Sequence, residues 1–239
     1  MEHLRFVARS GIRSGGSAWS VAVEAGVALA PVAGRPGGLL TACRRLVARC
    51  PLDGPLVWLA ATALAASDPP TALHEAVARL RSDPTGKRAA RALPDGAVVV
   101  TGPGAALGVD PEERREFEER GVQVVDGEFA AVVAADLVVC RACLWGPGEW
   151  FAPEGTTALV GAAVTAGAEV WVLAGLGTVL PARMWESATD GLDPGPHGVE
   201  RLLASSASVV VGPAGRTSPG RASTRADGPV VPELFAGSV

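Results

Sequence analysis

AVVVTGPGAALGVDPEERREFEERGVQVV, residues 97–125, runs from one β-branched stretch through a glycine-rich turn and a charged helical segment into a second β-branched stretch. Its middle carries a complete set of helix signals. Asp110 is the N-cap, Pro111 takes the first helical position, Glu113 closes a capping box and Gly121 follows the last turn. The same alternation continues outward, with DLVVC (136–140), EVWVLA (169–174) and SVVVG (208–212) separated by helical patterns. Continuously apolar strands alternating with helices require a mostly parallel, doubly wound α/β sheet, because each crossover helix covers a face of the sheet as it returns the chain. Residues 93–239 are expected to form that unit.

Upstream of residue 93 the apolar period is helical. Ser17 to Leu29, Gly38 to Arg49, Gly54 to Ala66 and Thr71 to Arg81 read as four helices, with Pro31, Pro51 and Pro69/Pro70 as breakers. SDPTGKRAARALPDG (82–96) reads as a polar connector. The expected organisation is a helical N-terminal lobe over residues 1–92 and a Rossmann-like α/β lobe over 93–239.

With 239 residues, 48% of them hydrophobic, and a net charge of −4, the chain can bury a substantial core and presents no basic footprint for nucleic acid. The longest apolar candidate, Leu56 to Ala66, falls well short of the roughly 20 residues that cross a bilayer. The start, MEHLRFVARSGIRSGG, lacks the apolar core and cleavage site of a secretory signal, so the expected location is the cytoplasm, with the four cysteines as thiols.

In a parallel sheet, chemistry belongs beyond the carboxyl ends of the strands. TGPG (101–104) offers bare backbone amides there, without a dinucleotide fingerprint or a P-loop lysine. Cys140 and Cys143 have C-x-x-C spacing, yet no second pair stands at zinc spacing, so no metal and no cofactor is expected; the two read as buried small hydrophobes. His3, His74 and His197 have no nucleophile elbow or paired carboxylate to work with. Arg13 in IRSGGSA and Arg35 in AGRPGG each combine glycine amides at a helix start with a forked cation, which suits a phosphate; the alternative is a pair of solvated loop arginines.

These segments resemble, in order, those of one family. IRSGGSAWSVAVEAGVALA (12–30) and AGRPGGLLTACRRL (33–46) are similar to its two arginine-bearing helix starts. LPDGAVVVTG (93–102), ADLVVCRACLWGPGEWFAPEGTTAL (135–159), AEVWVLAG (168–175) and GPAGRTSPGRASTRADGPVVP (212–232) are similar to its strands and C-terminal segment. The family holds initiation factor 2B alpha, beta and delta subunits, methylthioribose-1-phosphate isomerase and ribose-1,5-bisphosphate isomerase. The resemblance implies a helical lobe on a Rossmann-like lobe, dimers formed through the C-terminal lobe, and a phosphorylated sugar or nucleotide as ligand. It places Arg13, Gly15, Gly16 and Arg35 at phosphate-handling or pocket positions, and Gly155 and Thr156 near the ligand.

Where the family's isomerases carry a catalytic cysteine after the first strand, this chain reads TGPG; where they carry an aspartate, it has Cys143. Ala152-Pro153 replaces an asparagine-lysine pair. The expected function is therefore binding of a phosphorylated sugar or nucleotide with the isomerase chemistry lost. Two alternatives are a divergent aldose-ketose isomerase using Cys143 and a non-catalytic dimeric interaction subunit.

Overall fold

The computed structural model describes residues 18–35, 37–102, 109–127 and 132–236. Helices α1 (Ala18–Ala33), α2 (Gly38–Val47), α3 (Gly54–Ala65) and α4 (Pro69–Arg81) occupy the stretch where the apolar period is helical. α1 runs through Pro31, which stands in its last turn, so the lost N–H costs one bond to the Val27 carbonyl and the chain leaves the helix within a few residues. α3 is buried nearly all round, with Leu56, Val57, Trp58 and Leu59 in the core. Asp53 caps it, accepting from the Leu56 amide at 2.9 Å. No helix among the described residues is long and apolar enough to cross a membrane.

The expected polar connector instead contains α5 (Thr85–Ala92). Asp83 accepts from the Thr85 amide and hydroxyl to start it. Its alanines Ala89 and Ala90 are buried with Leu93 against Val99, Leu137 and Val211. Small side chains allow that approach without a conspicuous apolar stripe, which is why the sequence reads as a connector.

β1 (Val98–Thr101), β2 (Gln123–Asp126), β3 (Leu137–Arg141), β6 (Glu169–Leu173) and β8 (Val209–Gly212) are all parallel, and β9 (Gly215–Thr217) adds an antiparallel edge, in the order β2-β1-β3-β6-β8-β9. All five β-branched runs thus become strands. The helix between β1 and β2, α6 (Pro111–Glu119), has its capping box: Asp110 accepts from the Glu112 and Glu113 amides, and Glu113 accepts from the Asp110 amide.

Alternate residues feed opposite faces, as the pleat requires. Val100, Val138, Cys140, Val170, Val172 and Val210 pack under α7 (Thr156–Ala166), while Val99, Leu137, Val139, Trp171, Leu173 and Val211 pack under α5 and α6. A small antiparallel sheet is made by β4 (Leu144–Trp145) and β5 (Glu149–Pro153), which follow β3, and by β7 (Val199–Leu203), which follows β6. Trp145 and Trp150 stack at its base, with ring centroids 5.8 Å apart. α8 (Ala182–Thr189) and α9 (Pro219–Ala222) complete the chain.

The helical core does not end at the lobe boundary. Leu144, Phe151, Leu176, Leu180, Met184 and Trp185 join the same apolar cluster as Leu29, Leu46 and Leu59. The lobes meet closely at Gly54, whose amide donates to the Cys143 carbonyl at 3.0 Å. Any Cβ there would stand within 2.9 Å of Cys143, Gly177 and Thr178 backbone atoms.

Candidate functional site

Strand order reverses between β1 and β3, so their carboxyl ends flank the crevice where a sheet of this kind receives ligands. β3 ends there in Arg141, which is 6% exposed. Its guanidinium pairs with Glu113 and stands 4.0 Å from Asp110 Oδ2. Arg141 stays protonated: burial works against its charge, and the carboxylates of Glu113, Asp110 and Asp83 outweigh it. The crevice is thus occupied by an internal salt bridge. Among the described residues, Arg141 Nε and Asp110 Oδ2 have no hydrogen-bond partner.

Two residues further, Cys143 is 5% exposed, its amide donating to the Phe151 carbonyl at 2.8 Å. Burial, with Asp53 adding to it against the pull of Arg141, pushes the thiol up to about 12. It is protonated at neutral pH and poorly suited to nucleophilic or base work. Cys140 is buried in the sheet core and is likewise pushed up to about 12 by burial. Both cysteines pack as small apolar groups.

Asp53 approaches Cys143 from the helical lobe. It is 2% exposed, and burial raises its carboxyl to about 7 against the single lowering contact from the Leu56 amide. A neighbouring aspartate, Asp83, ties the lobes by accepting from the Leu176 amide at 2.7 Å. Among the described residues no three His, Cys, Asp or Glu side chains gather as metal ligands.

Gly155 and Thr156 open α7. Gly155 adopts φ +94°, and the Thr156 hydroxyl, fully buried, donates to the Pro153 carbonyl at 2.6 Å. Two amides of this helix start are already taken, because Glu200 of β7 accepts from Gly155 at 3.0 Å and from Thr157 at 2.7 Å. Partial burial raises Glu200, yet these amides and the Thr157 hydroxyl outweigh it and hold the carboxyl below its ordinary value. An internal carboxylate therefore fills the place a ligand anion would seek.

Arg35 is exposed in the turn before α2. It lines an open groove of about 540 Å³ formed wholly by helical-lobe residues, including Leu39, Ala63, Ser67 and Asp68. No described residue of the α/β lobe lines this groove, and Cys143 is not part of it. Arg13, Gly15 and Gly16 lie outside the described residues, as do Pro103 and Gly104 of the TGPG turn.

Sequence reasoning did not single out Arg141, Asp53, Asp83 or Glu200. A charged residue ending an apolar strand was the available signal for Arg141, and Asp53-Gly54-Pro55 for a capped helix start. Glu200 carried none, since its partners are more than forty residues away.

A helical lobe packed on a doubly wound, mostly parallel sheet, with a small antiparallel sheet beside it, defines a recognisable class of fold. No protein-family model and no curated protein matches the sequence. Solved structures do match, and they are those the sequence resembles. The chain superposes on Pyrococcus horikoshii OT3 translation initiation factor eIF-2B with a TM-score of 0.71 at 15% identity, over 92% of this chain and 97% of that one. It superposes on a chain of the tetrameric eIF2B-beta2-delta2 complex from C. thermophilum with a TM-score of 0.70 at 12% identity, over 99% and 94%. For 5-methylthioribose 1-phosphate isomerase from Pyrococcus horikoshii OT3 the TM-score is 0.56 at 12% identity, over 93% and 86%. The chain has the fold of these initiation factor 2B subunits and of this sugar-phosphate isomerase.

Proposed function

We propose that this protein binds a phosphorylated sugar or nucleotide through the arginine-bearing starts of its helical lobe and has lost the isomerase chemistry of the fold. The observation that carries the reading is the sealing of Cys143 between Gly54 and Phe151, with its thiol pushed up to about 12. An acid-base residue must reach its substrate and exchange protons near neutral pH. Cys143 meets neither condition, and the neighbouring crevice holds Arg141 with its own carboxylates.

Arg35, exposed in a groove large enough for a small phosphate ester, supports the binding half, with Arg13, Gly15 and Gly16 as its partners in the proposal. Calorimetry with pentose phosphates and nucleoside monophosphates tests it. Saturable binding that weakens at least tenfold in Arg13→Ala or Arg35→Ala is expected. Binding indifferent to both substitutions, or none, sinks the reading; turnover of an aldose phosphate that Cys143→Ala abolishes sinks the loss of chemistry.

The proposal includes a boundary near residue 92, a cytoplasmic location and a homodimer formed through the α/β lobe. A second reading, a non-catalytic interaction subunit, is favoured by one observation. Glu200 occupies the α7 helix start, while Val164 on α7 and Leu203 on β7 are exposed. Equilibrium sedimentation separates the two: a dimer that binds none of the phosphates above supports the second.

A further inference from the structure

The carboxyl ends of β6 and β8 enclose a cavity of about 120 Å³, apart from the β1/β3 crevice and from the groove beside Arg35. Its floor is apolar, built by Ala174, Val179, Val210 and Ala222. Glycine is required at its wall: a Cβ on Gly212 would stand 2.9 Å from the Ala174 carbonyl. Two opposite charges from the C-terminal segment line the same cavity, Arg225 and Asp227.

Both charges have capacity to spare. Arg225 is exposed and makes one long hydrogen bond, 3.3 Å from Nη1 to the Gly215 carbonyl, which leaves the rest of its donor fork free among the described residues. Asp227 Oδ2 pairs with Arg79 at 3.2 Å. Even so, its carboxyl is raised, because partial burial, with Asp83 adding to it, outweighs the pull of Arg79. Asp227 Oδ1 makes no hydrogen bond to another described residue, which leaves it open to an ammonium group.

A small apolar pocket lined by a guanidinium with donors to spare and a carboxylate with one oxygen to spare fits a compact zwitterion. We propose that this cavity binds a small α-amino acid, its carboxylate on Arg225, its ammonium on Asp227 and a short apolar side chain on the floor. An amine alone leaves Arg225 unanswered, a carboxylate alone leaves Asp227 with Arg79 as its one partner among the described residues, and a large side chain exceeds the space. This site uses none of the residues assigned to the phosphate ligand and stands or falls separately from it.

The test is titration of the full chain with L-valine, alongside isovalerate and isobutylamine, its two single-charge analogues, followed by methyl NMR of Ala174 and Ala222 and by calorimetry. Saturable valine binding that shifts both methyls is expected, with each analogue bound at least tenfold more weakly. Arg225→Met and Asp227→Asn should each weaken valine at least tenfold. Arg221→Ala, an exposed neighbour outside the cavity, should not. Arg225→Met removes only one long hydrogen bond from the fold, so it stays informative if Asp227→Asn proves unstable. The proposal is overturned by absence of saturable valine binding, by equal binding of an analogue, or by full affinity in Arg225→Met.

Discussion

Asp53 shows how one residue gains a property its neighbours in sequence do not reveal. It caps α3, and the lobe packing that buries it also raises its carboxyl from 3.8 to about 7. A folded-state value above the unfolded one means the native state holds an extra proton between those limits. Stability from this group is therefore full below about pH 4, falls as pH rises, and levels off above about 7. Asp53→Asn keeps a cap acceptor without the charge. Its stability relative to wild type, from urea unfolding, should rise steadily between pH 4 and 7. A pH-independent difference would show that the carboxyl titrates normally. Asp53→Ala also removes the cap, at a cost of about 1–2 kcal/mol.

Arg141 makes a second residue-scale case. Arg141→Met leaves Glu113 and Asp110 buried without their cation, and should cost about 3–5 kcal/mol in urea unfolding. Adding Glu113→Gln to that variant should recover part of the loss, because the second change removes one stranded charge. If the double variant is no more stable than the single one, Arg141 matters through packing instead.

At the scale of elements, two glycines on helices behave oppositely. Gly54 at the start of α3 abuts backbone atoms of the other lobe, so Gly54→Ala should cost about 1–3 kcal/mol. Gly161 lies exposed inside α7 with open space around its Cα, and Gly161→Ala should stabilise by about 1 kcal/mol. Thermal melts of the pair test whether α3 is held by contact and α7 by propensity. The α7 start carries its own pH signature. Glu200 sits below its ordinary value, so its contribution is present above about pH 4.5 and is lost as pH falls through the folded value. Glu200→Gln should erase that acid-side loss.

The five parallel strands and the α6 capping box were legible because local chemistry decides them: β-branched runs with turn residues between, and Asp110, Pro111, Glu113 and Gly121 at fixed offsets. α5 was not. Its two inward alanines signal nothing until a sheet lies beneath them. The short strands of the small sheet were hidden for a similar reason, since β5 and β7 mix charged and apolar residues and pair across about fifty residues of chain.

On the scale of the whole molecule, one apolar cluster runs from the helices into the small sheet and α8, and polar ties reinforce it. Asp83 accepts from Leu176, Arg79 pairs with Asp227, and Arg44 donates to the Glu233 carbonyl. A shared core couples the unfolding of the parts it joins. Calorimetry should therefore show a single transition, with equal calorimetric and van't Hoff enthalpies; two resolved transitions would contradict the shared core.

By itself the sequence determined the class of fold, a helical lobe before a doubly wound sheet, because periodicity, caps and breakers act within a few residues of one another. It also marked Cys140 and Cys143 as buried apolar groups. The tertiary structure alone decided that Arg141 fills the crevice at the strand crossover, that Glu200 occupies the α7 start, and that Arg225 and Asp227 share a cavity with Ala174 and Val210. Electrostatic and packing partners are chosen by distance in space, and folding brings together residues whose separation along the chain carries no trace of that choice.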